Sequence, residues 1–158
     1  MLLDDVLAKV VEPTFACLLP GRFASSEATV MLLAIGLQES AFEHRQQVGG
    51  PARGFWQFEQ RGGVRGVLAH ETSRLTARSV CLHRAVAPTE SDVYMAIGHD
   101  DMLACAMARL LLWTDAAALP RIGAEQDAWR YYDRNWRPGK PHPDKWAGNY
   151  KQAVRAIA

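Results

Sequence analysis

The stretch Met31–Phe42, MLLAIGLQESAF, connects the most apolar part of the chain to a single carboxylate. No charged residue occurs from position 28 to position 37, so a helix over this segment is apolar on every face. A helix of this kind is buried all round, which predicts that it lies at the centre of the fold. The helix then ends at Glu39, where a carboxylate marks either the return to solvent or a chemical site.

The rest of the chain is also predicted to be mainly helical, because apolar residues recur at helical spacing. QVGGPARG, residues 47–54, is rich in Gly and Pro and predicts a loop or a short hairpin after the central helix. No repeat or shift in composition divides the chain, so we expect one mainly α domain over residues 1–158. The first predicted helix runs from Leu2 and is stopped by Pro13, and the second, central one begins at Ser25 or Ser26 with Glu27. Two more are predicted over VRGVLAH and RLTARSVCLHRAV, and a short one begins near Thr89 and Asp92. The remaining three are a helix capped by Asp100 or Asp101 that continues through MLACAMARLLLW, a helix over AEQDAWRYYDRNW and a last helix that carries Trp146 and Tyr150.

Composition narrows the classes of function and of compartment. The 158 residues carry a net charge of +1, which gives no sign of a nucleic-acid partner. The start, MLLDDVLAKVVEP, has two acids where a secretory signal has basic residues, and no apolar run reaches the roughly 18 residues of a membrane span. Three widely spaced cysteines predict reduced, buried thiols, and scattered histidines make a metal site an unfavoured interpretation.

Glu39 is the strongest candidate for chemistry. Burial disfavours a charged carboxylate, and the exposed carbonyls at the end of a helix do the same, so both raise its pKa. A carboxyl group that stays protonated near neutrality can act as a general acid in glycoside cleavage. Many helices nevertheless end on a solvated Glu, so this residue alone does not establish a site.

The residues around Glu39 form an ordered set of motifs. Glu39, Ser40 and Phe42 give ESAF, and GPARGFWQFE follows with Gly54 and Gln57. The arrangement resembles the lytic transglycosylases and goose-type lysozymes of the lysozyme-like superfamily, which carry Glu-Ser-x-Phe and then Gly-x-x-Gly-Leu-x-Gln. Phe55 takes the Leu position, and Trp56 takes a position often held by Met. The family's third element is a late Tyr, for which AWRYYD offers Tyr131 by spacing from Ala128, or Tyr132; no Asn-Ala-Gly follows.

The resemblance implies a lysozyme-like fold and cleavage of peptidoglycan between N-acetylmuramic acid and N-acetylglucosamine, with no cofactor. Glu39 would be the acid and base, and Ser40 would orient Glu39, bind substrate or simply cap the helix. Gln57 would bind a sugar acetamido group, and Tyr131 or Tyr132 would steady the acid. Trp56 is included among the substrate-binding residues.

A second carboxylate would decide between two enzymes. Hydrolysis of glycosides normally uses a pair of acids. Before position 70 only Glu43 and Glu59 follow Glu39, and Glu43 would point the same way only if the helix continued. No Asp lies between Glu39 and Glu71, and the absence of a clear second acid favours lytic transglycosylation. A hydrolytic muramidase that uses Glu59 as the second carboxylate is the alternative. A non-catalytic glycan-binding or virion-structural module on the same fold is a further alternative.

Three other segments, QFEQRGGVRGVL, MARLLLW and NWRPGKPHP, are similar to parts of small phage proteins with a lysozyme-like core. The start of the chain, which lacks a secretory signal, predicts synthesis in a cytoplasm. The similarity implies that this is a host cytoplasm and that the protein acts on the periplasmic cell wall, after release as an endolysin or as part of a virion. Other proteins of the phage particle are then candidate partners besides peptidoglycan.

Overall fold

The computed structural model describes all residues 1–158 and is mainly helical, with no β-strand. Helix α1 covers residues 3–17 in three consecutive segments, which are α-helical at Leu3–Val6, π-helical at Leu7–Val11 and α-helical at Glu12–Cys17. None of the helices has the length and apolar composition needed to cross a bilayer. After a 3₁₀ turn at Gly21–Phe23 come α2 Ser26–Ser40, a π turn at Gln60–Val64 leading into α3 Arg65–Ala69, α4 Arg74–His83, α5 Glu90–Ala96, α6 Asp101–Trp113, α7 Glu125–Trp136 and α8 Pro143–Ala156.

Helix α2 is the centre of the fold, as its sequence predicts. The Ser25 hydroxyl caps it by accepting a hydrogen bond of 3.1 Å from the Ala28 N–H. Every residue from Val30 to Gly36 is buried, and α2 packs against α6, α7, α8 and the π-helical part of α1. An apolar helix surrounded on all sides in this way fixes the position of its last turn, which carries Glu39.

Two predictions about the first helix are wrong. Pro13 does not stop it, because α1 continues to Cys17. A π-helical turn precedes the proline, and its wider winding changes the hydrogen-bond pattern near the missing Pro13 N–H. Cys17 is exposed at the end of α1, whereas the other two free thiols, Cys81 and Cys105, are buried as predicted.

The end of α2 reverses direction over two left-handed residues. Ala41 and Phe42 have φ angles of 50° and 55°, which turn the chain back onto the helix. The Phe42 ring then lies against Gly36, where a Cβ atom would stand 2.1 Å from the Phe42 Cζ atom. Phe55 and Trp56 pack edge-on against the same ring at centroid distances of 5.4 and 5.9 Å. The helix end and the following loop therefore share one aromatic cluster.

The glycine-rich segment 41–59 forms a loop rather than a paired hairpin. Its only ladder contacts are two isolated antiparallel bridges, which join Arg53 to Gln46 and to Phe58. Gly54 has a φ angle of 73°, and a Cβ there would lie 2.8 Å from the Ile97 carbonyl oxygen, so a glycine is needed. The loop is thus held against α2 while its backbone stays close to the carboxylate-bearing helix end.

Candidate active site

The carboxyl group of Glu39 lies in the last turn of α2 and is half-buried. Burial is the main cause of a rise in its pKa from 4.5 to about 7, and a hydrogen bond from Tyr132 lowers the pKa by a smaller amount. At neutral pH a substantial fraction of Glu39 therefore carries its proton. This carboxyl group can both donate a proton and, after donation, accept one.

Tyr132 is the residue that contacts Glu39 directly. Its hydroxyl donates a hydrogen bond of 2.6 Å to Glu39 Oε1. Burial and the neighbouring carboxylate raise the pKa of Tyr132, so its hydroxyl stays protonated and acts as a donor. The Tyr132 ring stacks on Trp146 of α8, with centroids 5.1 Å apart and planes at 11°. This stacking fixes the direction of the hydroxyl toward Glu39.

Tyr131, which the motif spacing favours, has a different environment. Its hydroxyl donates to the carbonyl oxygens of Leu112 and Ala117, at 3.0 and 3.1 Å. These contacts tie α7 to the end of α6, and no hydrogen bond joins Tyr131 to Glu39. Of the two tyrosines that the sequence leaves open, the structure places Tyr132 beside the acid.

Ser40 connects the end of α2 to the loop. Its hydroxyl donates to the Phe55 carbonyl at 2.7 Å and accepts from the Phe42 N–H at 3.1 Å. The second bond stabilises the left-handed turn after the helix, and neither bond involves Glu39. The sequence leaves three roles open for Ser40: orienting Glu39, binding substrate or capping the helix. The observed hydrogen bonds are those of a helix cap.

Gln57 and Trp56 occupy contrasting positions in the loop. Gln57 is half-buried and has a left-handed φ of 51°, and its Nε2 donates to the Gly54 carbonyl at 2.9 Å. Its amide oxygen accepts no hydrogen bond within the protein. Trp56 is only 1% exposed, and its indole N–H donates to the Leu32 carbonyl at 2.9 Å. The inclusion of Trp56 among substrate-binding residues is therefore corrected, because a buried indole offers no ring face to a sugar.

Backbone strain is concentrated around the end of α2 and the loop. Five residues other than glycine have a left-handed φ, and Ala41, Phe42 and Gln57 are three of them. Such conformations are costly for residues with a Cβ and often occur at functional sites. Their grouping near Glu39 is a second feature, besides the pKa of Glu39, that distinguishes this part of the molecule.

The two other carboxylates of this region do not form a pair with Glu39. Helix α2 ends before Glu43, whose side chain is 69% exposed and lies 3.8 Å from His44. Glu59 is exposed and makes no side-chain hydrogen bond. Burial and Tyr132 are the causes of the Glu39 pKa, and no second carboxylate contributes to it. The site thus has one acid with a perturbed pKa.

Trp136 and Trp146 support the site through packing and hydrogen bonds, whereas the sequence offered Trp136 either as core or as a ring for sugar stacking. The Trp136 indole N–H donates to the Trp56 carbonyl at 3.0 Å, which joins α7 to the loop. Gln38, next to the acid, donates to the His142 carbonyl and accepts from Asn149, which joins α2 to α8. In the sequence, Trp129, Tyr132 and Trp136 recur at helical spacing, and this aromatic stripe is the signal that could have predicted these contacts.

Glu39 does not line either of two open cavities, of about 570 and 460 Å³. No three His, Cys, Asp or Glu side chains lie close enough together to hold a metal ion.

Comparison of the chain with protein-family models, with curated proteins and with solved structures finds no match.

Replacement of Tyr132 is expected to shift the titration of Glu39. In Tyr132→Phe the carboxylate loses the hydrogen bond that lowers its pKa, so the midpoint should rise above the value of about 7. Carbon-13 NMR of the Glu39 carboxyl group measures this midpoint. Tyr131→Phe is the matched control and should leave the midpoint unchanged, because Tyr131 does not contact Glu39. A midpoint in Tyr132→Phe that stays the same or falls would contradict the assigned role.

Proposed function

We propose that the protein cleaves the glycan strand of peptidoglycan, by lytic transglycosylation on a lysozyme-like fold. The proposal rests on the half-buried Glu39 carboxyl group, which accepts a hydrogen bond from Tyr132 and whose pKa is raised to about 7 by burial. The ordered motifs ESAF and GPARGFWQ, which resemble those of lytic transglycosylases and goose-type lysozymes, supply the substrate class. An acid of this pKa is suited to general acid catalysis near neutral pH.

The first step uses the proton of Glu39. Glu39 donates it to the glycosidic oxygen between N-acetylmuramic acid and N-acetylglucosamine, and the bond from that oxygen to the muramic anomeric carbon breaks. The sugar is left with oxocarbenium character, and Glu39 becomes a carboxylate. The Tyr132 hydroxyl stabilises this carboxylate through its hydrogen bond to Oε1.

The second step returns the proton to Glu39. The carboxylate takes the proton of the muramic 6-hydroxyl, and the freed oxygen bonds to the anomeric carbon to close a 1,6-anhydro ring. The 6-hydroxyl belongs to the bound sugar, so no water has to be recruited and ordered. The exposed positions of Glu43 and Glu59 support this route over hydrolysis, because neither pairs with Glu39.

Gln57 is the leading candidate for contact with the sugar substituents. Its backbone is held in a left-handed conformation and its amide oxygen is free of protein partners, so the oxygen can accept a hydrogen bond from an acetamido N–H. Ser40 contributes indirectly, since it holds the loop that carries Gln57 against the end of α2.

Release of soluble fragments from purified sacculi tests the proposal. We expect the wild-type protein to release muropeptides, with a rate that falls above about pH 7 as Glu39 ionises. Glu59→Gln should retain most of this activity, because Glu59 is exposed and does not pair with Glu39. Loss of activity in Glu59→Gln would favour the hydrolytic muramidase. Sedimentation of the protein with sacculi, without any release, would favour a glycan-binding or virion-structural module.

A further inference from the structure

A second site lies in the cavity of about 570 Å³, whose wall does not include Glu39. The cavity is open to the surface and is bounded by the 3₁₀ turn at Gly21–Phe23, the end of α6 and the segment 115–121. Arg22, Arg109 and Arg121 line it together with Trp113 and Leu119. The cavity therefore combines three cationic side chains with an apolar wall.

Arg109 is the unusual residue of this cavity. It is only 3% exposed and forms no ion pair with a carboxylate, although arginine is rarely buried without one. Its Nε donates to the Phe23 carbonyl at 2.7 Å, while its Nη1 has no protein acceptor. Burial lowers the pKa of Arg109 to about 10, so the group is still cationic at neutral pH. A buried cation without a carboxylate partner is costly, and an anion beside it would offset the cost.

The neighbouring charges leave the cavity positive. Arg22 and Arg109 lie over the Trp113 ring, at 5.4 and 5.1 Å from its centroid. Asp115 is already engaged, because it accepts hydrogen bonds from Arg134 at 2.7 Å, from Asn135 at 2.8 Å and from the Ala117 N–H at 2.9 Å. Glu27 is then the one remaining acid in the wall, against three arginines.

We propose that this cavity binds a small organic oxyanion, a carboxylate or phosphate group attached to an apolar or aromatic body. The guanidinium groups of Arg22, Arg109 and Arg121 would hold the oxyanion, since planar guanidinium groups match carboxylate and phosphate oxygens in pairs. Trp113 and Leu119 would contact the apolar body. The site is separate from the proposed cleavage of glycan strands and does not depend on it.

Calorimetric titration with benzoate, phenyl phosphate and inorganic phosphate tests the site. We expect saturable binding of benzoate or phenyl phosphate with a Kd below about 1 mM, accompanied by NMR shifts of the Trp113 indole N–H and the Arg109 Nε–H. Binding of benzoate alone would identify a carboxylate ligand, and binding of phenyl phosphate alone a phosphate ester. Inorganic phosphate should bind more weakly than phenyl phosphate, because it lacks the apolar body.

The exposed arginines provide variants that leave the core intact. Arg109→Met removes the central cation but also the contact with Phe23, so the double variant Arg22→Met and Arg121→Met is the second test. We expect either change to weaken binding at least about tenfold. Arg78→Met is the matched control, because Arg78 is exposed on α4, lies outside the cavity wall and makes no side-chain hydrogen bond.

Three results would overturn the proposal. The first is a lack of saturable binding of both organic anions at concentrations of about 10 mM. The second is equal loss of affinity in Arg78→Met and in the double variant. The third is equal affinity for inorganic phosphate and phenyl phosphate, which would show that the apolar wall takes no part in binding.

Discussion

Replacement of Glu39 by Gln is expected to reduce the release of muropeptides by about 10²–10⁴-fold, the usual effect of removing a general acid. The amide has nearly the shape of the carboxyl group, and its oxygen can still accept the hydrogen bond from Tyr132. It cannot transfer a proton to the glycosidic oxygen or take one from the muramic hydroxyl. The loss should therefore appear in the rate and not in the folding of the protein.

Glu43→Gln is the matched control for this measurement. Glu43 lies just beyond the end of α2, and its side chain is 69% exposed, so its replacement should leave the release rate close to that of wild type. Circular dichroism of both variants checks that the helices are intact. Wild-type release by Glu39→Gln would exclude Glu39 as the acid.

The same variant is expected to gain stability at alkaline pH. The carboxyl group of Glu39 has a pKa of about 7 in the folded protein against an ordinary value of 4.5. Below about pH 4.5 both states hold the proton, and the carboxyl group costs the fold nothing. Between pH 4.5 and 7 the unfolded state loses its proton first, so the free energy of unfolding falls as the pH rises. Above about pH 7 the free energy of unfolding has fallen by its full amount. The difference of about 2.5 between the two pKa values corresponds to a loss of about 3 kcal/mol.

Because Gln carries no charge, the free energy of unfolding of Glu39→Gln does not fall in this way as the pH rises. Its free energy of unfolding should exceed that of wild type by about 3 kcal/mol at pH values near 8 and should match wild type near pH 4. Urea denaturation at the two pH values measures the difference, with Glu59→Gln as an exposed control that should show no such change. An equal free energy of unfolding for Glu39→Gln and wild type near pH 8 would show that burial does not destabilise the carboxylate. Gain of stability with loss of activity is the trade-off expected of a site built on an unfavourable charge.

The central helix and its acid could be predicted from the sequence, because both depend on local pattern. Ten successive positions without charge define a helix buried all round, and Ser25 marks its start by a cap that depends on nearby backbone groups. The position of Glu39 at the end of this helix follows directly. Burial, and hence the direction of its pKa shift, follows from the same pattern.

The partner of Glu39 could not be predicted in the same way. Neighbouring helical residues point about 100° apart, so the choice between Tyr131 and Tyr132 depends on how α7 packs against α2 and α8. The structure directs Tyr132 to Glu39 and Tyr131 to the end of α6. Burial of Trp56 also depends on tertiary packing, because its indole reaches Leu32, 24 residues earlier in the chain. The π-helical turn that precedes Pro13 in α1 also has no signal in the local sequence.

The central claim is that Glu39 works without a second carboxylate. Mass spectrometry of the muropeptides released from sacculi tests this claim most directly. If the muramic 6-hydroxyl captures the anomeric carbon, the products end in 1,6-anhydromuramic acid and are lighter by one water than hydrolysis products. We predict these anhydro products from wild type and from Glu59→Gln, and almost none from Glu39→Gln. Products with reducing ends, lost when Glu59 is replaced, would contradict the claim and show that water is the nucleophile.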